Sequence, residues 1–143
     1  MFHAGTLAGN PMATAAGLAA LDQLTGDVYI ELMARVRHLS SLLRDACGSA
    51  GLTASFPVVG TLFGIVCGDD AGVVTNFDEA KRTDEAMYAA FFRRMLAEGV
   101  AMAPGAYEAI FVGLAHDDAV ITSIAEAAHR AAGRAVAVAA GSV

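Results

Sequence analysis

Apolar residues step by threes and fours along one long stretch in the first third of the chain. Ile30, Met33, Val36, Leu39 (or Ser40), Leu43 and Ala46 form a single stripe, with Arg35, Arg37 and Arg44 mostly off it. This spacing predicts an amphipathic helix from an Asp27 cap to about Cys47, stopped at Gly48. An alanine-rich helix from Met12 to Leu24 precedes it, with Asn10 as N-cap and Pro11 where a first helical position tolerates proline. After Gly51 the period shortens. Leu52 to Phe56 predicts a strand, Pro57 interrupts it, and Thr61 to Cys67 is a second β-prone run with Gly64 inside. Gly68-Asp69-Asp70 reads as a turn, and Val73 to Arg82 matches no regular period and reads as an ordered loop. Thr83 caps a helix through Glu98, whose Met87, Tyr88, Phe91, Phe92, Met95 and Leu96 make a broad apolar face. Val100 to Ala103 and Ile110 to Leu114 read as brief strands. Asp117 or Asp118 caps a last helix with Ile121, Ile124, Ala125 and Ala128 on one face, and the tail beyond Gly133 reads as frayed. Strands interleaved with helices in this order predict an α+β layer structure.

Composition narrows the function classes. The 143 residues are 56% hydrophobic and 17% charged, which excludes a disordered chain. A formal net charge of -6 argues against nucleic acid as a partner, because phosphate neutralisation needs a basic surface. Mean hydropathy is high, +0.53, yet no apolar run reaches the roughly 20 residues of a membrane span. No basic stretch followed by an apolar core opens the chain, and two cysteines fit a reducing compartment, so a soluble cytoplasmic protein is expected. So short and apolar a chain has much surface to hide. It either pairs with another surface or is a piece of something larger.

Two segments can carry chemistry. Gly5-Thr6-Leu7-Ala8-Gly9-Asn10-Pro11 joins glycines, a hydroxyl and a helix start, which suits an anion such as a phosphate ester. Judged locally, a loop that merely caps a helix is the commoner use of such a segment. Glu108 follows Pro104-Gly105-Ala106-Tyr107 and precedes an apolar strand, where a carboxylate can bind an ammonium group or move a proton, or simply be solvated. His3, His38, His116 and His129 lack metal-ligand spacing, and no Gly-x-Ser-x-Gly elbow supports hydrolysis. Lys81, the single lysine, stands between Ala80 and Arg82 in a polar stretch, poorly suited to Schiff-base chemistry.

Together these segments resemble a known family. His3-Ala4-Gly5-Thr6-Leu7-Ala8-Gly9-Asn10-Pro11-Met12-Ala13 is similar to the Gly-Thr-x-x-Gly-Asn-Pro stretch of class III pyridoxal-phosphate aminotransferases. Gly60-Thr61-Leu62-Phe63, the loop Val74-Thr75-Asn76-Phe77-Asp78-Glu79-Ala80-Lys81, and Gly99-Val100 through Ala103-Pro104 with Tyr107-Glu108-Ala109-Ile110-Phe111-Val112 narrow the resemblance to the glutamate-1-semialdehyde aminomutase family. Leu114-Ala115-His116 completes the last segment. The match covers nearly the whole chain in order. The sequence departs from the family where Gly105-Ala106-Tyr107 replaces a Ser-Gln-Phe type run, which bears on how Glu108 is held. It departs again at Asp117-Asp118-Ala119-Val120, which alters only a helix start.

The resemblance implies the C-terminal part of a fold-type-I transferase. Residues 1–26 would end the large cofactor domain, 27–50 would form a connecting helix, and 51–143 a small domain with a short, mainly antiparallel sheet and helices on one side. It implies a homodimeric isomerase of tetrapyrrole (porphyrin) biosynthesis that converts glutamate-1-semialdehyde to 5-aminolevulinate on pyridoxal or pyridoxamine 5'-phosphate, with active sites at the subunit interface. Thr6 would then bind the phosphate of the partner's cofactor with Gly5 supplying close backbone, and Glu108 would lie near the substrate amino groups. No catalytic residue of the family matches a position here: its Schiff-base lysine, ring-nitrogen aspartate and stacking aromatic are expected upstream of Met1. The chain alone is therefore expected to be inactive. The alternatives are another class III enzyme of ω-aminotransferase type, which usually carries an arginine for a substrate carboxylate in its C-terminal domain whereas the strand mouth here offers Glu108, and a truncated, non-catalytic interaction module.

Overall fold

The computed structural model describes residues 5–69 and 74–141, so His3, Asp70 and Val73 lie outside the described residues. The chain divides into two units, residues 1–31 and 32–143. In the first, α1 runs Pro11–Leu21, and Asn10 caps it: its Oδ1 accepts from the Met12 amide at 3.0 Å and the Ala13 amide at 3.2 Å. The cap and the Pro11 start agree with the sequence. The helix ends short of Leu24, and none of its residues is buried. Met12 is 83% exposed, with Leu7, Leu18, Leu21 and Leu24 also open, an apolar surface that a soluble protein covers with another.

The helix α2 spans Gly26–Ser49 and carries the predicted stripe into the second unit. Val36, Leu39, Leu43 and Cys47 are its buried positions, joined by Ser40, whose hydroxyl donates to the Arg37 carbonyl at 3.0 Å. The strands are all short and antiparallel. β1 (Ala54–Ser55) pairs with β4 (Val66–Cys67), while β2 (Val58–Val59), β3 (Leu62–Phe63) and β5 (Ile110–Phe111) form a second sheet in the order β2-β3-β5. The first predicted run shrinks to β1, an extra strand, β2, forms beyond Pro57 where none was expected, and the second run is broken in two around Gly64. The Gly64 amide donates to the Pro57 carbonyl at 3.0 Å, a bond that sits between the two sheets' pairings.

The region from Val74 to Arg82 contains one helical turn, α3 (Phe77–Ala80), where the sequence suggested only a loop. Asn76 caps it by accepting from the Glu79 amide at 3.0 Å, and the Glu79 carboxylate reaches back to the Thr75 amide at 2.7 Å and hydroxyl at 2.9 Å. This is a relative of the capping box, with the carboxylate reaching the residue before the cap, and it is too short to register as a period. These bonds from Thr75, backbone first, hold the Glu79 carboxyl below its ordinary value of 4.5.

The cap of α4 (Glu85–Ala97) also moves by one residue. Asp84 accepts from the Met87 amide at 2.9 Å, while Thr83 turns inward and its hydroxyl accepts from the Cys67 amide at 3.0 Å. Thr83 is buried, and a buried hydroxyl is satisfied better by the edge of β4 than by a solvent-facing helix end. Val100 to Ala103 is not a strand: the Ala103 carbonyl, which a ladder would use, accepts instead from the Tyr88 hydroxyl at 2.7 Å.

The last helix, α5 (Asp118–Ala139), has Asp117 as N-cap and does not fray after Gly133. Arg134 at 2.7 Å and Arg130 at 2.7 Å both donate to Glu98 at the end of α4, and Ala131, Ala132 and Ala135 are buried. Packing therefore overrides the poor helix propensity of glycine. Small alanines let α5 lie close to α4, whose Tyr88, Phe91 and Met95 complete a core with Phe63, Ile65 and Ile121. Among the described residues no helix is long and apolar enough to cross a membrane.

Candidate active-site segments

Two successive turns shape the Gly5 to Asn10 segment: the Ala8 amide donates to the Gly5 carbonyl and the Asn10 amide to the Leu7 carbonyl, both at 3.0 Å. Gly9 sits at φ +76°, a conformation side chains rarely adopt, so the turn into α1 depends on glycine there. Of the donors the sequence offered an anion (glycine backbone, the Thr6 hydroxyl and the helix N-terminal amides), the last are already engaged. Pro11 has no N–H, Met12 and Ala13 donate to the Asn10 side chain, and Thr14 donates to the Asn10 carbonyl at 2.9 Å. What remains is the turn itself. Among the described residues the Thr6 hydroxyl and the amides of Thr6 and Leu7 have no partner, and both residues are exposed. A hydroxyl and adjacent free amides are donors suited to a phosphate ester.

Glu108 occupies an exposed corner just ahead of β5, and its amide donates to the Gly105 carbonyl at 3.3 Å. Its carboxylate lies back over Gly105: a Cβ at that glycine would meet Oε1 at 3.0 Å. The departure at Gly105 thus changes the space available to Glu108. Beside it the Tyr107 ring meets Phe77 of α3, centroids 5.7 Å apart, and the Tyr107 hydroxyl donates to Glu85 Oε1 at 2.6 Å. The bond to Glu85 raises the Tyr107 phenol above its ordinary value, so the group stays a donor. Two of the segments that carried the resemblance, around Phe77 and Tyr107, meet here although they are far apart in sequence. Phe77, Tyr107 and Glu85 went unnoticed in the sequence as partners because each reads locally as a surface residue. Thr6 belongs to the first unit and Glu108 to the second.

The remaining candidates have structural roles. Lys81 is half-exposed, 2.7 Å from Asp78, with its ammonium 5.4 Å from the centre of the Phe77 ring, and forms no desolvated amine pocket. His116 Nδ1 accepts from the Gly113 amide at 3.1 Å, while Arg35 donates to the carbonyls of Leu114 and His116. His38 is exposed, and among the described residues no cluster of histidine, cysteine or carboxylate side chains could hold a metal. Burial pushes the Cys47 and Cys67 thiols up to about 12, with repulsion between the two thiolates adding to it for Cys47 and the Asp84 carboxylate for Cys67. Both should therefore resist a thiol reagent at about pH 8 and react only as the chain unfolds. Rapid labelling under native conditions would contradict this burial.

No protein-family profile matches the chain. A curated relative from Desulfosudis oleivorans (strain DSM 6200 / JCM 39069 / Hxd3), named glutamate-1-semialdehyde 2,1-aminomutase, is 43% identical over 119 residues, 82% of this chain. The chain belongs to the glutamate-1-semialdehyde 2,1-aminomutase family. It spans 27% of that relative's length. Solved structures place this aminomutase-family segment in the fold of pyridoxal-phosphate transaminases. A structure described as a transaminase with PLP bound covers 96% of the chain at TM-score 0.74 and 22% identity, the chain spanning 30% of it. A β-phenylalanine aminotransferase from Variovorax paradoxus covers 100% at TM-score 0.75 and 24% identity, the chain spanning 31% of it.

Proposed function

We propose that this chain acts as the C-terminal portion of a glutamate-1-semialdehyde 2,1-aminomutase, which isomerises glutamate-1-semialdehyde to 5-aminolevulinate for tetrapyrrole synthesis in the cytoplasm. The observation that carries this reading is the 43% identity to a protein of that name across most of the chain. Residues 1–26 end the cofactor domain, 27–50 connect, and 51–143 form the small domain. The fully exposed α1 supports this division, since its apolar side chains need the rest of a large domain or a second subunit to cover them.

When bound, pyridoxal or pyridoxamine 5'-phosphate supplies the electron sink for amino transfer. The chain's own residues bind and select. Thr6 donates its hydroxyl and amide to the phosphate held by the partner subunit of a homodimer, and Gly5 lets backbone come close. Glu108 attracts the substrate ammonium and repels the additional carboxylate of a dicarboxylic competitor, so it selects by both signs of the same charge. Its carboxylate is suited to this because, among the described residues, no side chain or backbone donor occupies it.

Replacing Thr6→Ala in the complete dimer should weaken cofactor binding roughly 10- to 100-fold, the loss of one hydrogen bond to a charged group. An absorbance titration of the apo-dimer with pyridoxal 5'-phosphate reads this directly. An unchanged Kd would remove the phosphate role from Thr6.

A further inference from the structure

We propose that Tyr107 and Glu85 are positioning residues for Glu108, fixing the 103–109 loop so that the Glu108 carboxylate is presented to substrate with its lone pairs unspent. The inference rests on the reading of Glu108 as the substrate-facing carboxylate. Glu85 and Tyr88 are three residues apart on α4, hence neighbours on one helix face. They grip the loop at two points: Tyr88 donates to the Ala103 carbonyl at 2.7 Å, and Glu85 accepts from the Tyr107 hydroxyl at 2.6 Å. Phe77 backs the Tyr107 ring from the side, centroids 5.7 Å apart. Between the two grips, Gly105 leaves room for the Glu108 carboxylate, which a Cβ would crowd at 3.0 Å.

The arrangement also sorts two carboxylates. Tyr107 has one hydroxyl proton and gives it to Glu85, a short charge-assisted bond. Glu108, the next residue along, is left without a donor among the described residues. An incoming ammonium therefore meets one unpaired carboxylate. If Tyr107 lost its hydroxyl, the loop would be held at the Ala103 end alone and Glu108 would sample orientations that waste binding.

The test is a double-mutant cycle in the complete holoenzyme, read by KM for glutamate-1-semialdehyde and by the carbon-13 signal of the Glu108 carboxyl, assigned by its loss in Glu108→Gln. Tyr107→Phe and Glu85→Ala should each raise KM roughly three- to tenfold and move the Glu108 signal. The double variant should be no worse than either single change, because the two remove one bond. Glu85→Gln keeps an acceptor oxygen and should bring KM back toward the wild-type value. A normal KM and an unmoved Glu108 signal in Tyr107→Phe, with Glu108→Gln impaired, would overturn the positioning role alone. A normal KM in Glu108→Gln would overturn the reading of Glu108 and the positioning role with it.

Discussion

The 143-residue chain by itself, given pyridoxal 5'-phosphate and glutamate-1-semialdehyde, should form no 5-aminolevulinate above the uncatalysed rate. Amino transfer on this cofactor needs a lysine amine kept neutral in a dry pocket. Lys81 is the one lysine in the chain, and it fails on each count. Its side-chain nitrogen is ion-paired with Asp78 at 2.7 Å and lies 5.4 Å from the centre of the Phe77 ring, and the side chain is 52% exposed rather than enclosed. Enzymatic activity lowers barriers by about 8–23 kcal/mol, so the missing amine should abolish turnover rather than slow it. A colorimetric assay for 5-aminolevulinate reads the result. Turnover that vanished in Lys81→Ala would show instead that the half-exposed amine is catalytic.

Phe91→Ala should be among the most destabilising single changes. Phe91 is fully buried where α4 meets the core, and truncating a buried phenylalanine costs about 3–5 kcal/mol. Domains are stable by only about 5–15 kcal/mol, so this loss brings the second unit, residues 32–143, near unfolding. Leu96→Ala on the same helix, 53% exposed, should cost under about 1 kcal/mol. Urea unfolding followed by circular dichroism separates the two. Equal midpoints for both variants would contradict the placement of the core.

Long-period features were readable from residue order, and short or distant ones were not. The stripe of α2 and the faces of α4 and α5 repeat over several turns, and their central positions (Val36, Leu39 and Leu43; Tyr88, Phe91 and Met95; Ile121 and Ala128) are buried, whereas Ile30 and Leu96, placed on the same faces by spacing, are exposed. The Asn10 and Asp117 caps follow from local chemistry alone. Thr83 and Asp84 are both good caps, and only the edge of β4 decides between them by drawing Thr83 inward. Gly133 marks an end on propensity, yet Glu98 and the buried alanines hold the helix through it. The Thr6 segment was legible as a motif, but that the Asn10 side chain would take up the helix amides beside it was not. Glu108 is singled out for substrate by resemblance alone, and the contact beside it was not legible: Tyr107 and Glu85 stand 22 residues apart and carry no shared pattern.

The most direct measurement is of the complete protein, incubated with glutamate-1-semialdehyde and cofactor in the absence of any added amino donor or acceptor. An aminomutase moves nitrogen within one molecule, so 5-aminolevulinate should accumulate to completion. Product that appears only when a separate amino donor and acceptor are supplied would contradict the assignment and mark an ordinary aminotransferase.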